Sequence, residues 1–203
     1  MSIAPDLRGH GDAPAADLSR VSMADYASDV RGALDTLGQP AVLLGWSMGG
    51  LVALMAAASG GVRACVGLAP STPARTRNPQ APLRCGVFGA EAYGIVDRDP
   101  DHQDATMPDL DRDERMLALA SLGPESQLAR DERQAGIVLA PLTYPVLIVV
   151  GARDAQWPRT RYTDLPLSAD WLEADASHWG LVLNRRCVQE LVPAVLGWLQ
   201  GVS

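Results

Sequence analysis

The segment Ala41–Gly50, AVLLGWSMGG, constrains this chain more than any other. The apolar run Ala41-Val42-Leu43-Leu44 reads as a buried strand, and it leads without a linker into Gly45-Trp46-Ser47-Met48-Gly49-Gly50. An almost wholly apolar helix follows, from Met48 to about Ala58. A helix apolar all round belongs in the interior. Joining a strand to a buried helix with no loop between them requires a tight turn, and a tight turn requires small residues. Side chains at positions 45 and 49 are therefore expected to collide with neighbouring backbone. Such a turn lifts Ser47 clear of the sheet beside the helix N-terminus. There the Met48 amide and the helix dipole face any oxygen that gains negative charge.

The remainder of the chain alternates short apolar runs with helical patterns, which predicts a parallel sheet covered by helices. Ile3-Ala4-Pro5 reads as the end of a strand, followed by the turn Arg8-Gly9-His10-Gly11-Asp12. Ser22-x-x-Asp25 is a capping box that opens a helix through Leu37, closed by Gly38. Further strands are expected at Ala64–Leu68, at Val146–Val150 and around Trp171-Leu172, with a last helix from about Arg186 to Gln200. Between Pro70 and Ala140 the character changes: prolines and acidic clusters accumulate, and two amphipathic helices are expected near Arg112–Leu122 and Glu125–Gln134. A strand-free stretch of that size predicts an inserted cap over residues 71–140, with 1–70 and 141–203 forming one core. At 203 residues the chain suits one domain with a sizeable core.

A serine hydroxyl at neutral pH is a weak nucleophile and needs a base, which in turn needs an orienting acid. The chain offers three histidines. His10 sits in a glycine turn and His102 in the acidic stretch. His178 lies in Ala174-Asp175-Ala176-Ser177-His178-Trp179-Gly180, between the last expected strand and the last helix, and is the expected base. Asp154 closes Gly151-Ala152-Arg153-Asp154 at the carboxyl end of a strand and is the expected acid; Asp175 is the competitor, close enough to His178 in sequence to orient it locally. Trp46 and Trp179 flank the nucleophile and the base, and either wall an apolar acyl pocket or pack in the core.

PDLRGHGD, LLGWSMGGLVAL, the strand leading to GARD and the final ASHWG together resemble the α/β-hydrolase superfamily over nearly the whole chain. GWSMGG looks closest to small microbial carboxylesterases. The resemblance implies the chain order nucleophile, acid, base found here as Ser47, Asp154 and His178. It implies acyl-enzyme chemistry on esters or thioesters with no cofactor, and Met48 as one oxyanion donor. Ser47 excludes the relatives with an aspartate nucleophile, while serine acyltransferases and carbon–carbon bond hydrolases share the triad. In the family, PDLRGHGD follows the fourth strand of the sheet, so this sequence starts where several dozen family residues have already passed. The strand that neighbours the nucleophile strand, and the His-Gly loop with the second oxyanion amide, are expected to be missing. A sheet truncated in this way predicts a homodimer. It also raises a rival from another class, a weakly active or non-catalytic scaffold.

Composition narrows the partners. A net charge of −7, with arginine and no lysine, argues against nucleic acid and against anionic membrane surfaces. The most apolar windows, 41–58 and 137–150, are broken by Gly, Ser and Pro, and MSIAPDLRGHGD has no apolar core of a signal peptide. Cys65, Cys85 and Cys187 form no CxxC pair and leave one over, which predicts reduced thiols and a cytoplasmic location. No His/Cys/Asp spacing suggests a metal site.

Overall fold

The computed structural model describes residues 2–202. Its strands are β1 (Ala41–Trp46), β2 (Val62–Leu68), β3 (Val87–Phe88), β4 (Glu125–Ser126), β5 (Val146–Gly151) and β6 (Asp170–Ala174). The helices are α1 (Met23–Leu37), α2 (Ser47–Ala57), α3 (Arg112–Ser121), α4 (Gln127–Ala135), α5 (Gly180–Leu183) and α6 (Arg185–Gly201). Four strands form one parallel sheet in the order β1-β2-β5-β6.

Strand alternation sorts the sheet's side chains between two layers of helix. Val66, Leu68, Leu147 and Val149 point to one face and pack with Cys187 and Val195 of α6. Cys65, Val146, Ile148 and Val150 point to the other and pack with Ala53 and Leu54 of α2. With helices on both sides, β5 is buried at every position, which is why its sequence VLIVVG is continuously apolar rather than alternating. α1 lies over α2, placing Met23 and Tyr26 against Leu51 and Val52. Its start carries the capping box of Ser22 and Asp25, and Gly38 closes it in a left-handed conformation. Among the described residues no helix is long and apolar enough to cross a membrane.

Two sequence expectations are corrected. Ile3-Ala4-Pro5 is not a strand; these residues are exposed and join no ladder, and Pro5 has no N–H to donate to one. The stretch 71–140 is not strand-free, because β3 and β4 pair antiparallel, Val87 opposite Ser126 and Phe88 opposite Glu125. This short pair starts α4 and brings Glu125 inward beside α1.

β1 pairs with β2 alone and is an edge strand among the described residues. An open edge is a template for another strand. Val42 and Trp46 face α6, and by alternation so does Leu44, which is nevertheless 59% exposed. The flank of α6 carrying Cys187, Leu191 and Ala194 borders Leu172 and Ala174 of β6. Helical periodicity turns Val192 and Leu196, both about half exposed, toward β1. We propose that a second copy covers this edge, β1 pairing antiparallel with its mate about a twofold axis. Light scattering should then give twice the 21.5 kDa chain mass, and Leu44→Arg should return it to one chain mass. Wild-type protein scattering as a monomer at micromolar concentration overturns the arrangement.

Candidate active site

α2 begins at Ser47 itself, so the serine takes the turn alone. Its φ is 53°, left-handed backbone that non-glycine residues rarely adopt and that costs of order 1–3 kcal/mol. Several contacts hold it there. The Ser71 N–H donates to the Ser47 carbonyl at 2.9 Å, tying the turn to the end of β2. A Cβ on Gly45 would strike the Gly49 carbonyl, and one on Gly50 would run into Pro70. Gly49 has open space around it, so the second position demanding glycine is Gly50 and not Gly49 as the sequence pattern suggested.

His178 Nε2 lies 2.9 Å from Ser47 Oγ, and His178 Nδ1 lies 2.7 Å from Asp154 Oδ2. A nitrogen facing a carboxylate at that distance donates, so Nδ1 carries the proton and Nε2 accepts from the serine hydroxyl. Asp154 and His178 are both buried. Burial by itself would raise the Asp154 carboxyl. The hydrogen bond and charge of His178, with the Trp157 and Gln156 amides on Oδ1 at 2.8 Å, outweigh it and hold Asp154 below the ordinary carboxylate range. Asp154 therefore stays charged against the imidazole. Asp175, the sequence competitor, points to solvent and pairs with Arg153 at 2.8 Å. The Met48 amide belongs to the first turn of α2, where helix N–H groups lack intrahelical acceptors.

The loops carrying Asp154 and His178 are laced together. The Ala152 N–H donates to the Ala174 carbonyl at 2.8 Å, and the Arg153 N–H to the Ala176 carbonyl at 3.0 Å. Sequence reasoning missed a further clasp, Asp109. Its carboxylate accepts from the Ser177 N–H at 2.8 Å and from the Ser177 hydroxyl, while its carbonyl accepts from the Asn184 side chain. It fills the space a Cβ on Gly180 would need. Nearby, Glu114 accepts from the Arg185 N–H at 2.8 Å. The segment before α3 thus braces the loop on both sides of His178. Asp109 is separated from Ser177 by 68 residues, and no local pattern announces it.

Ser47 and His178 open onto a cavity of about 360 Å³. Trp46 and Trp179 both line it, their rings 4.8 Å apart. Trp46 also donates from Nε1 to the His178 carbonyl at 3.0 Å, so it supports the His178 loop as well as walling the space. Both rings double as core: Trp46 packs with the α6 layer and Trp179 with the cluster around Met107 and Leu119. His102 is remote, beside Asp97. Cys65 is buried on the sheet, its thiol pushed up to about 12 by burial. Among the described residues no group of three or more His, Cys, Asp or Glu could hold a metal ion.

A parallel sheet layered between helices, with a strained serine between strand and helix and an Asp–His pair on the following loops, defines an α/β-hydrolase. The profile of the alpha/beta hydrolase family matches residues 2–191, and the chain belongs to that family. Solved structures of similar fold include a polyneuridine aldehyde esterase mutant, at 15% identity and TM-score 0.68, covering 95% of this chain and 87% of that one. A thermophilic esterase from Thermogutta terrifontis is similar at 20% identity and TM-score 0.61, covering 98% and 79%. An extracellular α/β-hydrolase from a Paenibacillus species follows at 16% and 0.64, covering 93% and 84%. At these identities the likeness concerns the fold alone. No curated protein matches the chain.

Asp109→Ala should lower kcat, with a loss reaching about 10²-fold, because it frees the loop that aims His178. Asp109→Asn keeps one acceptor for Ser177 and should fall between wild type and Asp109→Ala. Steady-state kinetics on a chromogenic ester measure this, and an effect confined to KM would refute the positioning role.

Proposed function

We propose that this α/β-hydrolase is a serine esterase, cleaving carboxylic esters or thioesters through an acyl-enzyme on Ser47. The observation that carries the reading is the relay Ser47 Oγ–His178 Nε2–Asp154, at 2.9 and 2.7 Å, on a serine held at a φ of 53°. Ser47 Oγ attacks the carbonyl carbon as its proton passes to His178 Nε2. The resulting oxyanion meets the Met48 amide at the α2 N-terminus. His178 gives its proton to the departing alkoxide or thiolate, leaving the acyl group on Ser47. Water, deprotonated by His178, then attacks the acyl carbon and releases the acid. Asp154 stays ionised throughout, holding the Nδ1 tautomer and balancing the imidazolium. No step calls for a cofactor.

We take esters as the substrate class over the acyltransferase and carbon–carbon alternatives; esterases are among the solved structures of the same fold. We read residues 71–140 as the cap that shapes the substrate space, since Ala90, Tyr93 and Leu122 from that stretch line the cavity. Three unpaired thiols favour a reducing compartment, the cytoplasm. A scaffold without catalysis is the rival; an intact, buried Asp–His pair aimed at a strained serine is hard to account for on that reading.

A fluorophosphonate probe should add one label to the folded wild-type protein and none to Ser47→Ala, as read by intact mass. Absence of the adduct, or its persistence in Ser47→Ala, sinks the esterase reading.

In a chromogenic ester assay Asp154→Asn should reduce kcat by on the order of 10⁴-fold, because it leaves the imidazole in the wrong tautomer. Adding His178→Ala should cost little more, since the residues act as a unit. Additive losses would contradict a coupled triad.

A further inference from the structure

The Ser47 carbonyl accepts from the Ser71 N–H, and what fixes Ser71 lies outside the relay. Ser71 ends a short strap, Ala69-Pro70-Ser71, that continues from β2. Ala69 has a φ of 39°; with Ser47 it makes up the non-glycine residues of left-handed backbone among those described. Its N–H donates to the Val149 carbonyl of β5 at 2.8 Å. Pro70 fits where it does because positions 50 and 67 are glycine: a Cβ there would come to 2.6 or 2.7 Å from its ring. The Pro70 carbonyl accepts from the buried Tyr162 hydroxyl at 2.9 Å. The strap thus ties two strained residues together, and such backbone persists only where its surroundings over-determine it.

The last anchor comes from a distance. Arg133, on α4 and 62 residues further along, donates from Nη1 to the Ser71 hydroxyl oxygen at 2.9 Å. Ser71 is wholly buried, so this contact is shielded from water. Among the described residues Arg133 forms no ion pair, and its ionisable neighbours are Tyr93, Arg130 and Arg161, none of them a carboxylate. Its Nε is buried without a hydrogen-bond partner. Burial, with two arginines nearby, pulls the guanidinium below its ordinary value, though an arginine keeps its proton. Taking a cation out of water without a counter-ion is costly, and an apolar side chain of similar size would pack there more cheaply. Departures of this kind from the packing rules concentrate where function requires them.

Peptide planarity defines what this anchor does. The Ser47 carbonyl and the Met48 N–H belong to one peptide unit, planar and trans, so they point in opposite directions. Aiming the carbonyl at Ser71 therefore aims the N–H the other way. A donor on the carbonyl also polarises the unit and strengthens the N–H at its far side. We infer that Arg133 is a positioning residue for the oxyanion donor: it fixes Ser71, Ser71 fixes the Ser47 carbonyl, and the shared peptide plane sets the direction of the Met48 N–H. An arginine suits the post because a charge-assisted hydrogen bond is roughly twice as strong as a neutral one. Tyr162 holds Pro70 independently, so losing Arg133 loosens Ser71 without releasing the strap.

This role rests on the Ser47 esterase reading, and the experiment separates the two. Arg133→Met and Arg133→Lys are assayed on a chromogenic ester, with rates expressed per fluorophosphonate-labelled site so that misfolded chains do not count. Arg133→Met should lower kcat roughly ten- to a hundred-fold with KM little changed, short of the loss from deleting an oxyanion donor outright. Arg133→Lys keeps a cation able to donate to Ser71 and should recover part of that loss. In a Ser71→Ala background Arg133→Met should cost almost nothing further, since the two residues act in series. An unchanged kcat in Arg133→Met, a change confined to KM, or losses that add in the double variant overturns the inference. If Arg133→Met does not fold, Ser71→Ala cuts the same link and should show the same loss; a wild-type kcat there overturns it equally. If the esterase reading itself fails, the wild-type protein takes up no fluorophosphonate and hydrolyses no ester. The Met48 amide then decides, its signal in ¹⁵N-methionine-labelled protein being identified by its absence in Met48→Leu. A displacement in Arg133→Met that Arg133→Lys partly reverses is expected, and a signal that stays in place refutes the positioning.

Discussion

Ser47 occupies a left-handed backbone conformation that its own side chain disfavours, and the surrounding sheet and helices are arranged to hold it there. The strain is offset by packing on every side. β1 delivers the serine with a glycine at its last turn, α2 carries the chain away through the core, and the Ser71 amide from the end of β2 fixes its carbonyl. Since β2 pairs with β5 and β5 with β6, and the loops after β5 and β6 bear Asp154 and His178, the sheet order sets the spacing of Ser47, Asp154 and His178. Parallel strands bring all these loops to one edge, where residues far apart in sequence meet within hydrogen-bonding distance.

Much of this was legible in the sequence because it is written in local pattern. A buried strand must be apolar along its length, a helix buried on all sides must be apolar all round, and a turn without a linker must contain glycine. These rules place β1, α2, β5 and Ser47 directly. They place His178 and Asp154 through loops that follow strand signals. What they cannot give is partnership across the fold. Asp109 reads as one acid in an acidic stretch, and only the packing of the α3 entry against the Ser177 loop gives it a role. His10 reads as a turn residue because its neighbours are glycines, and only the fold sets it beside Glu125, 3.2 Å from Oε1. The demand for glycine at Gly50 rather than Gly49 likewise depends on Pro70, a residue from another strand's end. The error at Ile3–Pro5 has the opposite origin: three strand-like residues carry too little information to say whether a ladder partner exists.

Burial also divides the labour among ionisable groups. Asp154 and Glu125 are both carboxyls shielded from water, yet they are pulled in opposite directions. Asp154 has an imidazole and two amides to satisfy its charge and remains a strong anion. Glu125 meets only the side chains of His10 and Tyr26, and burial prevails over both. The difference follows from the number of donors each side chain meets.

The Asp109 clasp carries a mechanical consequence. The loop that carries His178 is bolted to the stretch between the two halves of the core, through Ser177, Asn184 and the space over Gly180. Any outward swing of that stretch which pulls Asp109 away also loosens the imidazole. Asp109 itself lies outside the cavity wall, so a change there would be felt at His178 while every residue lining the cavity stays the same.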